Sequence, residues 1–282
     1  MHGVTVLGVY RERIFSPGKV LEDAKILDTT LDELVDQRFE ARVLEAANLE
    51  VHSPRPACVL SMAQSDRTLS ILENWSEGGT RIINTPQSVR NCYRKPLIQI
   101  LAMSNVPVPF SRTLPVEEVE QALTFGSETC YWLKRGDVHA IQSADVVRVD
   151  SRESLLSALT HFRHQKCEVI LVQEHVEGQV IKFYGVGPGE YFSAFLPSSG
   201  EELTSQVKML VPVVEQSAEA VGLEVYGGDA ILTPKGGLFL IDLNDWPSFS
   251  RCCENAAKSI ARYIKRVCDG GTNGSSDGCK RG

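Results

Sequence analysis

The chain has 282 residues, 29 of them Lys or Arg and 36 Asp or Glu, giving a formal charge of −7 and an isoelectric point near 5.5. That acidic balance excludes the broad basic surface on which general nucleic-acid binding rests, and a 43% hydrophobic fraction excludes wholesale disorder. No apolar run reaches the roughly 18–20 residues needed to cross a bilayer, and at about 150 residues per domain the length predicts two domains or one large one.

Met1-His2-Gly3-Val4-Thr5-Val6-Leu7-Gly8 lacks a basic leader and reads as the start of a first strand, Val4 to Tyr10, so a cytoplasmic protein is expected. Leu21, Ala24, Leu27, Leu31 and Leu34 follow Ser16-Pro17 at helical spacing. Strands are predicted at Phe39 to Leu44, Ala57 to Met62 and Thr80 to Asn84, with a helix from Arg67 to Trp75 closed by Gly78-Gly79. Such alternation predicts an open, mostly parallel α/β sheet over residues 1–88, with ligand-binding loops at its strand ends.

A helix from Val89 to Ser104 carries Arg94 and Lys95, and Val106-Pro107-Val108-Pro109-Phe110 is an extended connector. Residues 115–125 read as a helix. Strands follow at 128–134 and 144–149, then a helix from Ser151 to His164 begun by a Ser-Arg-Glu-Ser cap. Further strands are expected at 169–174, 179–187, 190–195, 226–232 and 237–243, with helices at 206–221 and 254–267. Residues 268–282, rich in Gly and Ser, read as a disordered tail. The eight cysteines, at 58, 92, 130, 167, 252, 253, 268 and 279, form no Cys-x-x-Cys pair and read as reduced thiols.

The strongest chemical pattern is Asp229 on one strand and Asp242-Leu243-Asn244 on the next. Residues 242 and 244 share a strand face, and oxygen donors gathered there suit Mg²⁺ with phosphates completing its shell; the same residues could instead shape the turn before Pro247. Lys134 ends the strand Tyr131-Trp132-Leu133-Lys134, and Lys182 interrupts the apolar strand Val180 to Tyr184. A lysine in such a strand either snorkels to water or meets an anion, and phosphate neutralisation fits beside a magnesium site. Gln173-Glu174-His175-Val176 leaves a strand into a polar linker, where backbone groups can read a purine edge.

In their order these residues resemble the ATP-grasp fold: Asn84-Thr85-Pro86, Lys95, the Val-Pro-Val-Pro connector, Lys134, Gln173-Glu174-x-Val-Glu-Gly, Lys182, Asp229 and Asp242-x-Asn244. The resemblance covers nearly the whole chain. It implies a Rossmann-like N-terminal domain (1–88), followed by a two-lobed ATP-grasp α+β domain (89–267), and the cofactors ATP and Mg²⁺, with two ions. By resemblance, Lys95 and Lys134 contact phosphates, and Gln173, Glu174, His175 and Val176 line adenine. Lys182 stands near the terminal phosphate or acceptor, and Asp229, Asp242 and Asn244 hold magnesium.

Two departures stand out. The family's glycine-rich loop is replaced by Arg135-Gly136-Asp137-Val138-His139-Ala140-Ile141-Gln142, and Asp242 stands where many members carry Glu. A histidine five residues past the lysine, with Lys182-Phe183-Tyr184-Gly185, resembles inositol polyphosphate kinases, a branch of the same fold. His139 is thus a candidate donor to a phosphate or acceptor, or a loop histidine packed on Trp132. Arg251 is a candidate for binding an acidic substrate, or a surface arginine. His175 reads as a hinge residue facing solvent, and His161 and His164 as a solvated helix face.

The resemblance to ribosomal-protein glutamate ligase-like enzymes implies carboxylate–amine ligation through an acyl phosphate, with a small amino-acid-like acceptor and, as a further possibility, a homo-oligomer. A small-molecule kinase and a non-catalytic ATP-binding module are the competing expectations. No nucleic-acid or membrane partner is expected.

Overall fold

The computed structural model describes residues 4–126, 129–136 and 145–270. Short β-branched runs alternating with amphipathic helices build the first sheet. Its strands are β1 (Thr5–Tyr10), β2 (Glu40–Glu45), β3 (Cys58–Ser61) and β4 (Arg81–Ile83), all parallel in the order β2-β1-β3-β4. Helices α1 (Val20–Asp36) and α2 (Asp66–Glu77) make the crossovers. The buried stripe of α1 is Ile26, Leu27, Leu31 and Leu34, whereas Leu21 is 85% exposed. Asp23 takes the inward position instead, accepting from Ser16 Oγ at 2.6 Å and Arg11 Nη1 at 3.1 Å.

The single helix expected over 89–104 is two, α3 (Pro86–Asn91) and α4 (Arg94–Met103). Thr85 caps the first by accepting from Ser88 N, with Pro86 at its first position. Tyr93 is extended (φ −63°, ψ 141°) and restarts the helix in a new direction.

The second sheet is antiparallel in the order β5-β8-β6-β7, made of β5 (Ser111–Pro115), β6 (Tyr131–Arg135), β7 (Val146–Val149) and β8 (Val169–Glu174). β5 has no counterpart in the sequence reading, because an edge strand reading Ser-Arg-Thr-Leu-Pro shows no alternation. The helix expected over 115–125 shrinks to one turn, α5 (Val119–Ala122). Helix α6 (Arg152–His164) starts at a capping box between Ser151 and Ser154. It buries Leu155, Ala158, Leu159 and Phe162 against Leu133, Val149, Ile170 and Val172.

The third sheet is antiparallel in the order β10-β9-β11-β12. It contains β9 (Gln179–Val186), β10 (Tyr191–Phe195), β11 (Val225–Leu232) and β12 (Leu238–Asp245), with α7 (Val207–Val221) on its outer face. Helix α8 (Cys253–Gly270) packs on α1 and β9 and continues three residues past the expected end. Residues 271–282 lie outside the described residues. The seven described cysteines are free thiols, and no helix among the described residues is long and apolar enough to cross a membrane.

One apolar core, including Val6, Leu27, Tyr184, Trp246 and Ile260, joins the first and third sheets. Polar staples fix their relation. Asn84 donates to Val225 O at 2.7 Å and accepts from Glu224 N and Val225 N. Arg11 donates to Trp246 O at 2.7 Å, Asp245 O at 3.3 Å and Met62 O at 3.2 Å. Buried polar groups with this many partners set a register between sheets that apolar packing alone would leave loose.

Candidate nucleotide and metal site

Strand alternation sends Lys182, Asp229 and Asp242 to the same face of the third sheet. They sit in register on β9, β11 and β12, so one cross-strand row carries a cation and two carboxylates. Lys182 Nζ lies 3.3 Å from Asp229 Oδ1. A bulge between Asp229 and Ala230 places Asp242 opposite Asp229 and Leu240 opposite Ala230, leaving Ile241 as the extra residue. Lys134 Nζ takes up the Ile241 carbonyl at 3.1 Å. The bulge thus ties the second sheet to the third at the metal-candidate strand. Gly228 is required here, since a Cβ on it would lie 2.1 Å from Asp242 O.

A cavity of about 330 Å³ opens between these two sheets. Asp229, Ile231, Ile241 and Asp242 form its floor, and Trp132, Lys134, Val146 and Gln173 its roof. Glu174, His175, Val176 and Gly178 close the back, and Arg94 enters from α4. Trp132 Nε1 donates to His175 Nδ1 at 3.1 Å, and His175 Nε2 lies 3.1 Å from Glu177 Oε2. His175 is therefore tied between two side chains rather than turned freely to solvent. The partners of Gln173 and Glu174 are on the edge strand and its approach: Gln173 Nε2 donates to Ser111 Oγ at 3.1 Å, and Glu174 N to Phe110 O at 2.9 Å.

Burial lowers the pKa of Lys134, and the neighbouring Arg94 pushes the same way, against Asp242 and Asp229. For Lys182 burial again opposes the charge, but Asp229 and Tyr184 outweigh it and the net direction is up. Asp229 is raised, chiefly by burial and further by Asp242, with Lys182 opposing. The cavity therefore holds a buried cation short of counter-charge on its roof and a crowded carboxylate pair on its floor.

Of the residues singled out from sequence, Lys134, Gln173, Glu174, His175, Val176, Asp229 and Asp242 come together around this cavity. Lys182 joins them through Asp229. Asn244 lies opposite Gly227, two residues along β12 from Asp242, half-buried and outside the cavity wall. Lys95 is exposed, and its neighbour Arg94 lines the cavity instead, donating to Arg135 O at 2.8 Å. The break at Tyr93 sets which of the two faces inward. Arg251 donates to Pro197 O at 3.1 Å, beside Gly200 and away from the cavity wall. His139 lies outside the described residues. His161 is not the solvated residue expected: its ring meets Phe162 edge-on, and Nε2 is buried without a hydrogen bond.

Sequence reasoning missed Arg94, Trp132 and Tyr184. Tyr184 is two residues from Lys182 on the same face, stacked on Phe249, with its hydroxyl buried. A tyrosine in an apolar strand carries a signal only once its neighbours are known. Among the described residues, no group of three or more His, Cys, Asp or Glu side chains is arranged to hold a metal ion, so any cation on Asp229 and Asp242 draws its other oxygens from elsewhere.

No family model matches the chain, and no curated protein matches it in sequence. Solved structures do. A RimK domain ATP-grasp protein from Sphaerobacter thermophilus superimposes with a TM-score of 0.72 at 17% identity, covering 92% of this chain and 99% of that one. D-alanyl-alanine synthetase A from Vibrio cholerae gives 0.70 at 12% identity, covering 96% and 98%. The ATP-grasp ligase PsnB, complexed with a minimal precursor, Mg and ADP, gives 0.66 at 16% identity, covering 93% and 98%. The likeness spans both chains almost end to end, and this chain has the ATP-grasp fold.

Proposed function

We propose that the chain is a Mg-ATP-dependent ligase that joins a carboxylate to an amine through an acyl phosphate, with residues 1–88 and 89–267 as its two domains. The observation that carries this reading is the in-register row Lys182–Asp229–Asp242 facing Lys134 and Arg94 across one cavity. Cations above and carboxylates below suit a polyphosphate with its divalent cation between. Trp132, Val146, Val180 and Ile231 supply the apolar walls that a base requires.

The donor set fits magnesium, a hard cation that takes oxygen ligands and keeps several for water and phosphate. Asp229 and Asp242 would hold it, with Asn244 next along β12. Bound there, Mg²⁺ supplies neutralisation of phosphate charge. Lys134 and Arg94 neutralise and orient the phosphates, Lys182 stands beside the transferring end, and the 173–176 segment reads the adenine edge. The substrate carboxylate attacks the γ-phosphorus and ADP leaves. The amine nitrogen then attacks the acyl carbon, inorganic phosphate leaves, and the amine gives up its proton. Alignment and charge neutralisation carry both steps, so no nucleophilic Ser or Cys is required.

Neighbours of this fold support ligation over phosphorylation of an alcohol, since D-alanyl-alanine synthetase A and D-cycloserine synthetase DcsG are both named as synthetases. The test is ADP release in a panel of amino acids, paired as carboxylate and amine donors, with hydroxylamine as a trap. Carboxylate-dependent ADP release with hydroxamate formation is the expected result. ADP release driven by an alcohol, with no hydroxamate, would make the protein a kinase.

A further inference from the structure

Residues 62–65 join β3 to α2 at the carboxyl end of the first sheet. Gln64, in this loop, is 7% exposed and reaches three other parts of the chain. Its N–H donates to Glu12 Oε2 at 3.0 Å, its carbonyl accepts from Tyr93 Oη at 3.0 Å, and its Nε2 donates to Asp245 Oδ1 at 3.1 Å. Glu12 also accepts from Ser65 N at 3.2 Å and Thr68 Oγ1 at 3.1 Å, so the loop is pinned within its own domain.

The two distant partners lead to opposite walls of the nucleotide cavity. Asp245 ends β12, three residues past Asp242 and one past Asn244, or about 10 Å along the strand from Asp242. It is 1% exposed, and a buried carboxylate holds its place only with donors to receive. Tyr93 is the extended residue that starts α4, immediately before Arg94. The two partners stand close together: the Tyr93 phenol is pushed up by burial, then by the charges of Asp66 and Asp245. Arg11 and Asn84 staple the first sheet to the third through main-chain atoms, whereas Gln64 touches both the floor strand and the helix that supplies a cation to the roof.

We propose that Gln64 is a positioning residue of the nucleotide site. Its side chain sets the end of β12, and through it the two magnesium carboxylates; its carbonyl sets Tyr93, and through it Arg94. The inference rests on the metal–nucleotide reading of the cavity and assigns the first sheet a part in it.

The two arms can be cut separately, with ADP titrated calorimetrically into the full chain with and without Mg²⁺. Gln64→Met keeps the length and both backbone bonds and loses only the donor to Asp245. It should cut the tightening that Mg²⁺ gives by about threefold, less than the roughly 10–100-fold typical of a group bonded to a metal ligand itself. Metal-free ADP binding should stay as it was. Gln64→Glu sets a second carboxylate against Asp245 and should lose more of the magnesium gain. Tyr93→Phe should weaken ADP about threefold, equally with and without Mg²⁺. A glutamine that only held the fold together would lower the thermal melt and leave the magnesium gain intact. The proposal is overturned by a full magnesium gain in both Gln64 variants, by unchanged ADP affinity in Tyr93→Phe, or by parallel loss of ADP binding and magnesium gain in all three. No magnesium gain in the unsubstituted chain would instead strike the metal-site reading, and this inference with it.

Discussion

The two faces of the third sheet are built from the same strands and do opposite things. On the cleft face, Lys182, Asp229 and Asp242 form a row of partly buried charge whose members hold one another imperfectly. On the reverse face, Ile181, Phe183, Ala230 and Leu240 pack under α7 with Leu210, Val214 and Ala218. Residues 182 and 183 are neighbours in sequence and belong to different physical problems. The reverse face is where stability is made; the cleft face is where it is given up for a charged site.

That contrast can be broken by substitution. The largest effect expected is on stability, from the reverse face. Phe183→Ala removes a fully buried ring stacked 6.2 Å from Phe192, and should cost about 3–5 kcal/mol in denaturant unfolding. A loss below about 1 kcal/mol would mean that this face is not the keystone described. Next is Asp242→Asn on the cleft face, expected to lower ADP release about a hundredfold or more while the unfolding midpoint stays close to that of the unsubstituted chain. Full activity would show that Asp242 holds no cation needed for turnover.

Smaller effects sharpen the division of labour on the roof. Arg94→Ala should weaken nucleotide binding about tenfold, some 1.4 kcal/mol, while Lys95→Ala should leave it within experimental scatter. Equal losses would return the phosphate contact to Lys95. Lys134 adds a pH signature. Its pKa is lowered by burial, so between that lowered value and the ordinary lysine value the unfolded chain binds more protons than the folded one. The free protein therefore gains stability as pH rises through this window, while nucleotide affinity falls as the charge is lost. Lys134→Arg, which keeps its charge, should abolish the alkaline fall in affinity. A fall that persists in the arginine variant would assign it to another group.

Much of this architecture was legible in the residue pattern because the strands of the third sheet are near-continuous apolar runs buried on both faces. Asp229, Asp242 and Lys182 stand out as charges on strands that are otherwise apolar. The mostly parallel order expected of the first sheet likewise follows from the amphipathic helices between β1 and β2 and between β3 and β4. What was not legible depended on geometry that sequence spacing does not carry. The edge strand β5, Ser-Arg-Thr-Leu-Pro, is half-exposed along its length, so its side chains show no period. The choice of Arg94 over Lys95 hangs on a single extended residue, Tyr93, within what reads as one helix. The bulge at Ile241 shifts the register by one residue and exposes a carbonyl to Lys134, which only the paired strands reveal. Leu21 and Asp23 exchanged roles because a half-buried arginine, Arg11, provides a partner for the carboxylate.

The central claim is that the two carboxylates on β11 and β12 hold the cation of a metal–nucleotide complex. Equilibrium titration of ADP, with and without Mg²⁺, tests it directly in the unsubstituted chain and in Asp242→Asn. Mg²⁺ should tighten ADP binding at least about tenfold in the former, and that gain should disappear in the variant while metal-free ADP binding stays the same or becomes tighter. A magnesium effect of equal size in both proteins would contradict the account.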